Sequence, residues 1–266
     1  MASPSPAGLD SVQQAAETQF SKQSHRYGKG HILEDVSDVA EALRYVDLQP
    51  PAKALDVATG GGHTGLFLAQ QGYKTTLADI SSAMLSRARA LAAERNLVVD
   101  TCQHPAEAFP YPDASFDLVI CRVAPHHFSS PEKFVRETAR VLRPGGWFVL
   151  IDGSVPDNEP ETEAWLHEVE KLRDPSHERL LAPSAWARLC SVAGLQVKVS
   201  ELHPFKQPNL EWYFETAATP SENRTRVRQL IATASESVRR LLRLGEEGGK
   251  TVWWWPRLTL VARHVG

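Results

Sequence analysis

The feature that most constrains the fold is the alternation of short apolar segments with helical segments between residues 53 and 152. The residue pattern predicts strands at 53–58, 74–78, 97–102, 116–122 and 147–152, with helices at 65–71, 81–95 and 131–142. Strands and helices that alternate in this way form βαβ units, with parallel strands and helices on both faces of the sheet. FDLVICR and WFVLI are apolar nearly throughout, which is typical of strands buried on both sides.

The rest of the chain adds helices before this region and both strands and helices after it. The sequence predicts N-terminal helices at 11–45, interrupted at YGKG. It also predicts two further strands, at 195–202 and 252–263, with a charged helical insertion between them at about 221–244. We therefore predict an α/β fold: a doubly wound, Rossmann-like, mostly parallel sheet of seven strands. Residues 1–10 are expected to form a mobile tail, and 11–266 a single domain.

Composition excludes several classes of protein. The chain has 29 Lys and Arg against 32 Asp and Glu, a net charge of −3, so it lacks the basic field of a general nucleic-acid binder. Its 3 cysteines are far apart and form no CxxC pair, so neither a disulfide framework nor a zinc site is predicted. It shows neither a secretory signal nor an apolar run of the ~18 residues that a membrane span needs. We expect a cytoplasmic protein with no nucleic-acid partner and no integral membrane association.

The segment LDVATGGGHTG, at 55–65, is the candidate ligand site. Its three consecutive glycines let the backbone turn sharply and approach a ligand without Cβ clashes. The helix that follows begins with free N–H groups, which can meet a polar or anionic group. The loop also lies at the carboxyl end of the first strand, where open α/β sheets bind ligands.

Two kinds of cofactor compete for this loop. Gly60, Gly62 and Gly65 match the dinucleotide pattern G-x-G-x-x-G, and Asp79 follows Gly60 by 19 residues. Asp56, however, lies at the end of the first strand, where its carboxylate would repel a pyrophosphate. It could instead accept hydrogen bonds from loop amides or, through water, from a ligand ammonium group.

Four motifs share one order and spacing: LDVATGGGHTG, ADISSAML, AEAFPYPDASFDLVICRVAPHHF and VLRPGG. In these the chain resembles the class I S-adenosylmethionine-dependent methyltransferases, specifically the ubiquinone/menaquinone-biosynthesis-type branch, over residues 20–263. The resemblance implies S-adenosyl-L-methionine as cofactor. It also implies in-line transfer of its methyl group to a small apolar or aromatic metabolite.

The resemblance also implies which residues hold the methionine and ribose parts of the cofactor. The glycine loop would pack against the methionine part through Ala58, Thr59, Gly60 and Gly62. Ala58 stands where the family has its first glycine. Asp79, at the end of the second strand, would hold both ribose hydroxyls, because one carboxylate can accept from two neighbouring hydroxyls.

The adenine contacts follow from the same resemblance. Ile80 would lie on one face of the adenine, and Met84 would close that pocket. Ala106 would offer its backbone amide, next to Glu107. Pro105 replaces an Asp that is frequent in the family, and proline has neither a carboxylate nor an N–H. The contact to the exocyclic amine therefore stays open.

The remaining candidates lie near the amino-acid end of the cofactor and the acceptor. Arg122 and Val123 would border the amino-acid end, and Tyr27, in the lid helices, either contacts the cofactor carboxylate or only packs. His126 and His127 are the candidate general bases, since an imidazole suits proton transfer at neutral pH. An acceptor that is already a phenolate would need no base. The segment at 173–177 either lines the acceptor pocket or forms a capped turn.

Several other functions are alternatives to transfer of a methyl group to a small molecule. A nicotinamide dehydrogenase would need a set such as Tyr-x-x-x-Lys, which the sequence lacks. A nucleic-acid methyltransferase would show a basic face or an Asn-Pro-Pro-Tyr-like loop after the fourth strand. A protein methyltransferase, or an S-adenosylmethionine-binding protein without methyl transfer (regulatory or cyclase-like), stays open. The sequence also leaves open whether the protein forms a homodimer and what role the run Trp253-Trp254-Trp255 has.

Overall fold

The fold is seen in a computed structural model that describes residues 8–266, so most of the predicted tail, at 1–7, lies outside the described residues. The α-helices are α1 Ser11–Gln23, α2 Ser37–Leu43, α3 His63–Gln70, α4 Ser82–Glu94, α5 Pro131–Val141, α6 Pro160–Arg173, α7 Pro183–Val192, α8 Leu210–Ala217, α9 Ser221–Ala232 and α10 Glu236–Leu241. The strands are β1 Lys53–Val57, β2 Lys74–Asp79, β3 Asp100–Gln103, β4 Phe116–Arg122, β5 Leu142–Gly153, β6 Leu195–Gln207, β7 Gly245–Glu247 and β8 Lys250–His264. Short 3₁₀ helices occupy Ser24–Arg26, Ile32–Glu34 and Pro125–His127.

The main sheet has the strand order β3-β2-β1-β4-β5-β8-β6. The pairs β1–β2, β1–β4, β2–β3 and β4–β5 are parallel, and β8 runs antiparallel to both of its neighbours. The chain order reverses between β1 and β4, and open α/β sheets bind ligands beside such a point. The predicted doubly wound, mostly parallel sheet is confirmed. The short β7 pairs only with β8 and was not predicted, because its three residues, Gly-Glu-Glu, carry no apolar pattern.

Three local predictions differ from the structure. The third strand begins at Asp100 instead of residue 97, because the Leu97 N–H donates to Ala92 O at the end of α4 and keeps Leu97 wrapped around the helix terminus. The strand predicted at 147–152 begins earlier, at Leu142, because residues 142–146 join β5 through an irregularity where the pairing with β4 shifts register. The predicted insertion at 221–244 is longer and consists of three helices, α8, α9 and α10.

Alternate residues of the central strands build separate cores on the two faces of the sheet. Leu55 of β1 and Val119 of β4 lie in one core, while their neighbours Ala54 and Leu118 lie in the other. This follows from the two-residue repeat of a strand. Helices α5 and α7 contribute to the first core, and α2 and α3 to the second.

A third core lies under α6, α8, α9 and α10, which we call the cap helices. Trp253 and Trp255 are buried in it, whereas Trp254 points to the opposite face, near Lys206 and Arg243. The tryptophan run thus supplies core packing on one face of β8. None of the helices within residues 8–266 combines the length and apolar character that a membrane span requires.

Candidate functional site

A cavity of about 890 Å³, measured with its open mouth, lies where β1, β2 and β4 end. Of the residues predicted to bind the cofactor or act as a base, twelve form its wall: Tyr27, Ala58, Thr59, Gly60, Asp79, Ile80, Met84, Ala106, Glu107, Arg122, Val123 and His127. Gly62 and His126 lie outside this wall.

The glycine loop is held in a strained turn by Asp56. The backbone φ of Ala58 is +53°, a left-handed conformation that costs an L-residue about 1–2 kcal/mol and suits the glycine that the family has there. Asp56 Oδ2 accepts from Thr59 Oγ1 at 2.5 Å and from Gly65 N at 2.8 Å. Burial raises the pKa of Asp56 to about 7. Asp56 therefore fixes the shape of the loop by accepting hydrogen bonds from Thr59 and Gly65.

Asp79 lies at the end of β2 and is only 6% exposed. Its Oδ2 accepts from Gly60 N at 2.8 Å, and its Oδ1 accepts from Ser81 N at 2.9 Å. Burial raises the pKa of Asp79 to about 6. Each carboxylate oxygen offers about two acceptor positions, so each keeps one for a ligand. A side chain held in this way at the cavity wall can accept from two adjacent hydroxyls.

The start of α3 contains a residue that the sequence reasoning missed. Gly62 has a φ of +90°, and a Cβ there would lie 2.9 Å from the Ala88 Cβ, so this glycine lets α3 pack closely on α4. His63 follows it, lines the cavity and is 4% exposed. Neither of its ring nitrogens has a hydrogen-bond partner among the residues described. The sequence feature that could have identified His63 is its position as the first residue of α3, directly after three glycines.

Three rings from the lid and the loop stack beside the cavity. The Tyr27 and His31 rings are 4.4 Å apart between centroids, and the His31 and His63 rings are 6.0 Å apart. Burial raises the pKa of Tyr27 and lowers the pKa values of His31 and His63 to about 4. All three rings are therefore neutral at neutral pH.

Helix α1 is fastened to the rim of the cavity by polar contacts. Gln13 Nε2 donates to Glu107 Oε2 at 2.8 Å, and the hydroxyls of Ser21 and Ser81 are 2.8 Å apart. The other oxygen of Glu107 accepts from Ser129 N at 2.9 Å. Both oxygens of Glu107 thus hold α1 and a neighbouring loop in place.

The side chain of Arg122, which belongs to the cavity wall, is anchored to the lid. Its guanidinium lies 2.9 Å from Asp38 Oδ1 and donates to Leu33 O at 2.9 Å. Arg257 shares Asp38 at 3.1 Å. Val123, the next residue after Arg122, has a φ of +55°, which is strained for a β-branched side chain. This part of the wall therefore combines a strained backbone at Val123 with an arginine that is held in place by the lid.

The two candidate bases occupy different positions. Asp152 accepts from the His126 backbone N–H at 2.9 Å and bonds its Nδ1 at 2.7 Å. Burial by itself lowers the pKa of His126, but the Asp152 carboxylate outweighs this and raises it. His127 forms part of the wall, and its ring meets that of Phe20 edge-on at 4.9 Å. Burial, with His126 beside it, lowers the pKa of His127 to about 4, so this imidazole is neutral at neutral pH.

Comparisons with known proteins agree with this geometry. A family model described as a methyltransferase domain matches residues 55–150. The uncharacterized methyltransferase YcgJ of Bacillus subtilis is 30% identical over 225 residues, which cover 84% of this chain and 88% of YcgJ. The chain belongs to the methyltransferase family. It is an enzyme that depends on S-adenosylmethionine as methyl donor, as the motifs predicted.

Further similarities place this methyltransferase among its relatives. The crystal structure of YcgJ superimposes with a TM-score of 0.80 and 26% identity, covering 86% of this chain and 99% of YcgJ. The demethylmenaquinone methyltransferase of Thermus thermophilus is 35% identical over 143 residues, which are 52% of this chain and 65% of that enzyme. The predicted resemblance to the ubiquinone/menaquinone branch is confirmed.

Proposed function

We propose that the cavity binds S-adenosylmethionine with its ribose on Asp79, and that the enzyme methylates a small apolar or aromatic molecule. The observation that carries this proposal is the carboxylate of Asp79, which is buried and has an acceptor position left on each oxygen. A ribose diol supplies two adjacent donors that match them. Charge-assisted bonds of this kind are stronger than neutral ones.

The rest of the cofactor fits the wall on either side of Asp79. Ile80 and Met84 offer an apolar surface for adenine, and the Ala106 amide lies on the same wall. On the other side, the nitrogens of His63, which have no hydrogen-bond partner within residues 8–266, and the N–H groups that begin α3 suit a charged amino-acid tail. Buried polar groups without a partner cost free energy, so a polar ligand there would stabilise the protein.

The domain plan follows from this arrangement. Residues 47–152 form the cofactor-binding core, 11–46 the lid, and 153–266 the acceptor side. Bound S-adenosylmethionine supplies an activated methyl group to an acceptor lying in line behind it. The lid residues exclude water from the cavity through Tyr27 and Phe20, which both belong to its wall.

The wall near His127 supports an apolar acceptor. Phe20, Ala124 and Phe128 belong to the cavity wall, and they favour an apolar or aromatic molecule. His127 is the proposed base, since it belongs to the wall and His126 does not.

The proposal is tested by calorimetric titration with S-adenosylhomocysteine and with NAD, followed by transfer of a tritiated methyl group to a panel of phenols and hydroxylated quinones. We expect binding of the homocysteine nucleoside, no response to NAD, and label in an apolar aromatic product. Binding of NAD alone would contradict the proposed cofactor site. Labelling of proteins but of no small molecule would contradict the proposed acceptor.

A further inference from the structure

We propose that Ser176 and Asp174 position His127 to take a proton from the methyl acceptor, which is therefore a molecule with an ionisable hydroxyl, such as a phenol or an enol. This inference rests on the proposed function, because it assigns roles within the same cavity. It goes beyond it by separating His127 from His126 and by naming the chemistry of the acceptor.

The hydrogen bonds around His127 determine which ring nitrogen carries the proton. Nδ1 lies 3.0 Å from Ser176 O, which can only accept, and 3.2 Å from Ser176 Oγ. That hydroxyl donates its own proton to Asp174 Oδ1 at 2.6 Å, so it offers a lone pair towards His127. Both neighbours of Nδ1 are acceptors. Nδ1 is thus the protonated nitrogen of the neutral ring, and Nε2 carries the lone pair.

Nε2 of His127 is left for a ligand. No hydrogen bond joins it to any residue from 8 to 266, although the ring is part of the cavity wall. Its neighbour on that wall, Phe20, is apolar and competes for no proton. Asp152 bonds Nδ1 of His126 in a similar way, but His126 does not take this role, because it is not part of the cavity wall.

The carboxylates of Asp174 and Asp152 favour a protonated His127 ring, whereas His126 opposes it. The His126 and His177 rings lie 4.1 and 6.4 Å from the His127 ring between centroids. Asp174 is 7% exposed, and its pKa is held low by His127, by the serine hydroxyl and by other donors despite its burial. The carboxylate is therefore ionised and stabilises a charge on His127 through the intervening hydroxyl.

The proposed step transfers one proton from the acceptor hydroxyl to His127. The O–H bond of the acceptor breaks, its electron pair stays on the acceptor oxygen, and the proton goes to Nε2 of His127. A positioned base gives no advantage to an acceptor that is already ionised or that has no proton to lose. The arrangement therefore points to a hydroxyl that is protonated when it enters the site.

The test uses the whole enzyme saturated with S-adenosylhomocysteine. Nitrogen NMR of the His127 ring reads the tautomer, and the visible absorption of para-nitrophenol reads its ionisation when bound. We expect the Nδ1-protonated tautomer, and a bound phenol that ionises more readily in the parental enzyme than in His127→Ala. Ser176→Ala and Asp174→Asn should each reduce the ionisation constant of the bound phenol roughly tenfold, as one charge-assisted bond is lost.

Two matched variants separate positioning from a merely structural role. Ser176→Thr keeps the hydroxyl and should retain the parental ionisation constant. Ser154→Ala removes another buried hydroxyl, one that donates to Leu181 O at 2.8 Å, and should change nothing at His127. An Nε2-protonated ring, or equal phenol ionisation in the parental enzyme and His127→Ala, would overturn the inference. If S-adenosylhomocysteine still binds in that case, the proposed function stands. Absence of that binding would overturn both.

Discussion

Replacing Asp79 by alanine is the perturbation that probes the cofactor site most specifically. If the carboxylate accepts from both ribose hydroxyls, the variant loses two charge-assisted hydrogen bonds of about 1.5–3 kcal/mol each. The total of about 3–6 kcal/mol corresponds to a dissociation constant raised by roughly 10²–10⁴. The low exposure of Asp79 keeps this value from being screened by solvent, unlike that of a surface pair.

The same substitution has a cost for the fold that must be measured separately. Asp79 also accepts from the N–H groups of Gly60 and Ser81, and a buried donor left without a partner costs about 1–3 kcal/mol. Asp117→Ala is the matched control. Its carboxylate accepts from Lys53 N at 2.8 Å and pairs with Arg143 at 2.7 Å, at the start of β4 and away from the cavity. Asp117→Ala should lower the melting temperature and leave cofactor affinity unchanged.

The assay is a calorimetric cycle with two ligands, S-adenosylhomocysteine and an analogue that lacks the ribose hydroxyls. The parental enzyme should prefer the natural ligand strongly, whereas Asp79→Ala should bind both with similar, weak affinity. The coupling between side chain and hydroxyls is then separated from any general effect on the loop. A variant that keeps the parental preference would refute the assignment of the ribose to Asp79.

Three further outcomes are expected. Affinity for S-adenosylhomocysteine, measured across pH, should be full well above the Asp79 pKa and fall as pH drops through about 6. The reason is that burial raises the pKa of Asp79 to about 6, and only the ionised carboxylate accepts from both hydroxyls. Gly65→Ala should destabilise the fold by about 1–3 kcal/mol in thermal unfolding, since its Cβ would lie 2.1 Å from Leu77 Cδ2. Gln13→Ala should speed dissociation of the ligand a few-fold in stopped-flow experiments, because one hydrogen bond of about 0.5–1.5 kcal/mol from the lid to Glu107 is lost.

Each of these outcomes has a clear contrary result. Gly245→Ala is the control for Gly65, since nothing lies within 4 Å of the Cβ position there, and equal melting temperatures of the two variants would contradict the packing argument. Affinity that stays constant down to pH 4, well below about 6, would show that the charge of Asp79 does not take part in binding. Unchanged dissociation from Gln13→Ala would show that α1 does not close the site through Glu107.

The parts of the fold that were predictable from sequence are those set by local periodicity. The strand predicted at 116–122 matches β4 residue for residue, because its apolar run has clear polar boundaries. The start of β3 was missed, because a backbone hydrogen bond from Leu97 to the end of α4 leaves no mark in the hydropathy pattern. The insertion predicted at 221–244 did not separate α9 from α10 and left out α8 for a related reason: the boundaries of these helices depend on tertiary packing around Trp253 and Trp255.

The candidate site divides in the same way. Asp79 and the glycine loop follow from a motif at a strand end, which is local information. The neighbourhood of His127 does not, since Ser176 is 49 residues away along the chain and reaches it only through the folding of the acceptor side onto the core. His63 was overlooked because its lack of partners is visible only once the burial of its ring is known.

The measurement that tests the central claim most directly is a crystal structure of the enzyme with S-adenosylhomocysteine. The account predicts both ribose hydroxyls within hydrogen-bond distance of the Asp79 carboxylate, adenine against Ile80, and the sulfur facing the wall that contains His127. A nucleoside bound elsewhere, or a ribose held by other side chains with Asp79 still bonded only to Gly60 and Ser81, would contradict it.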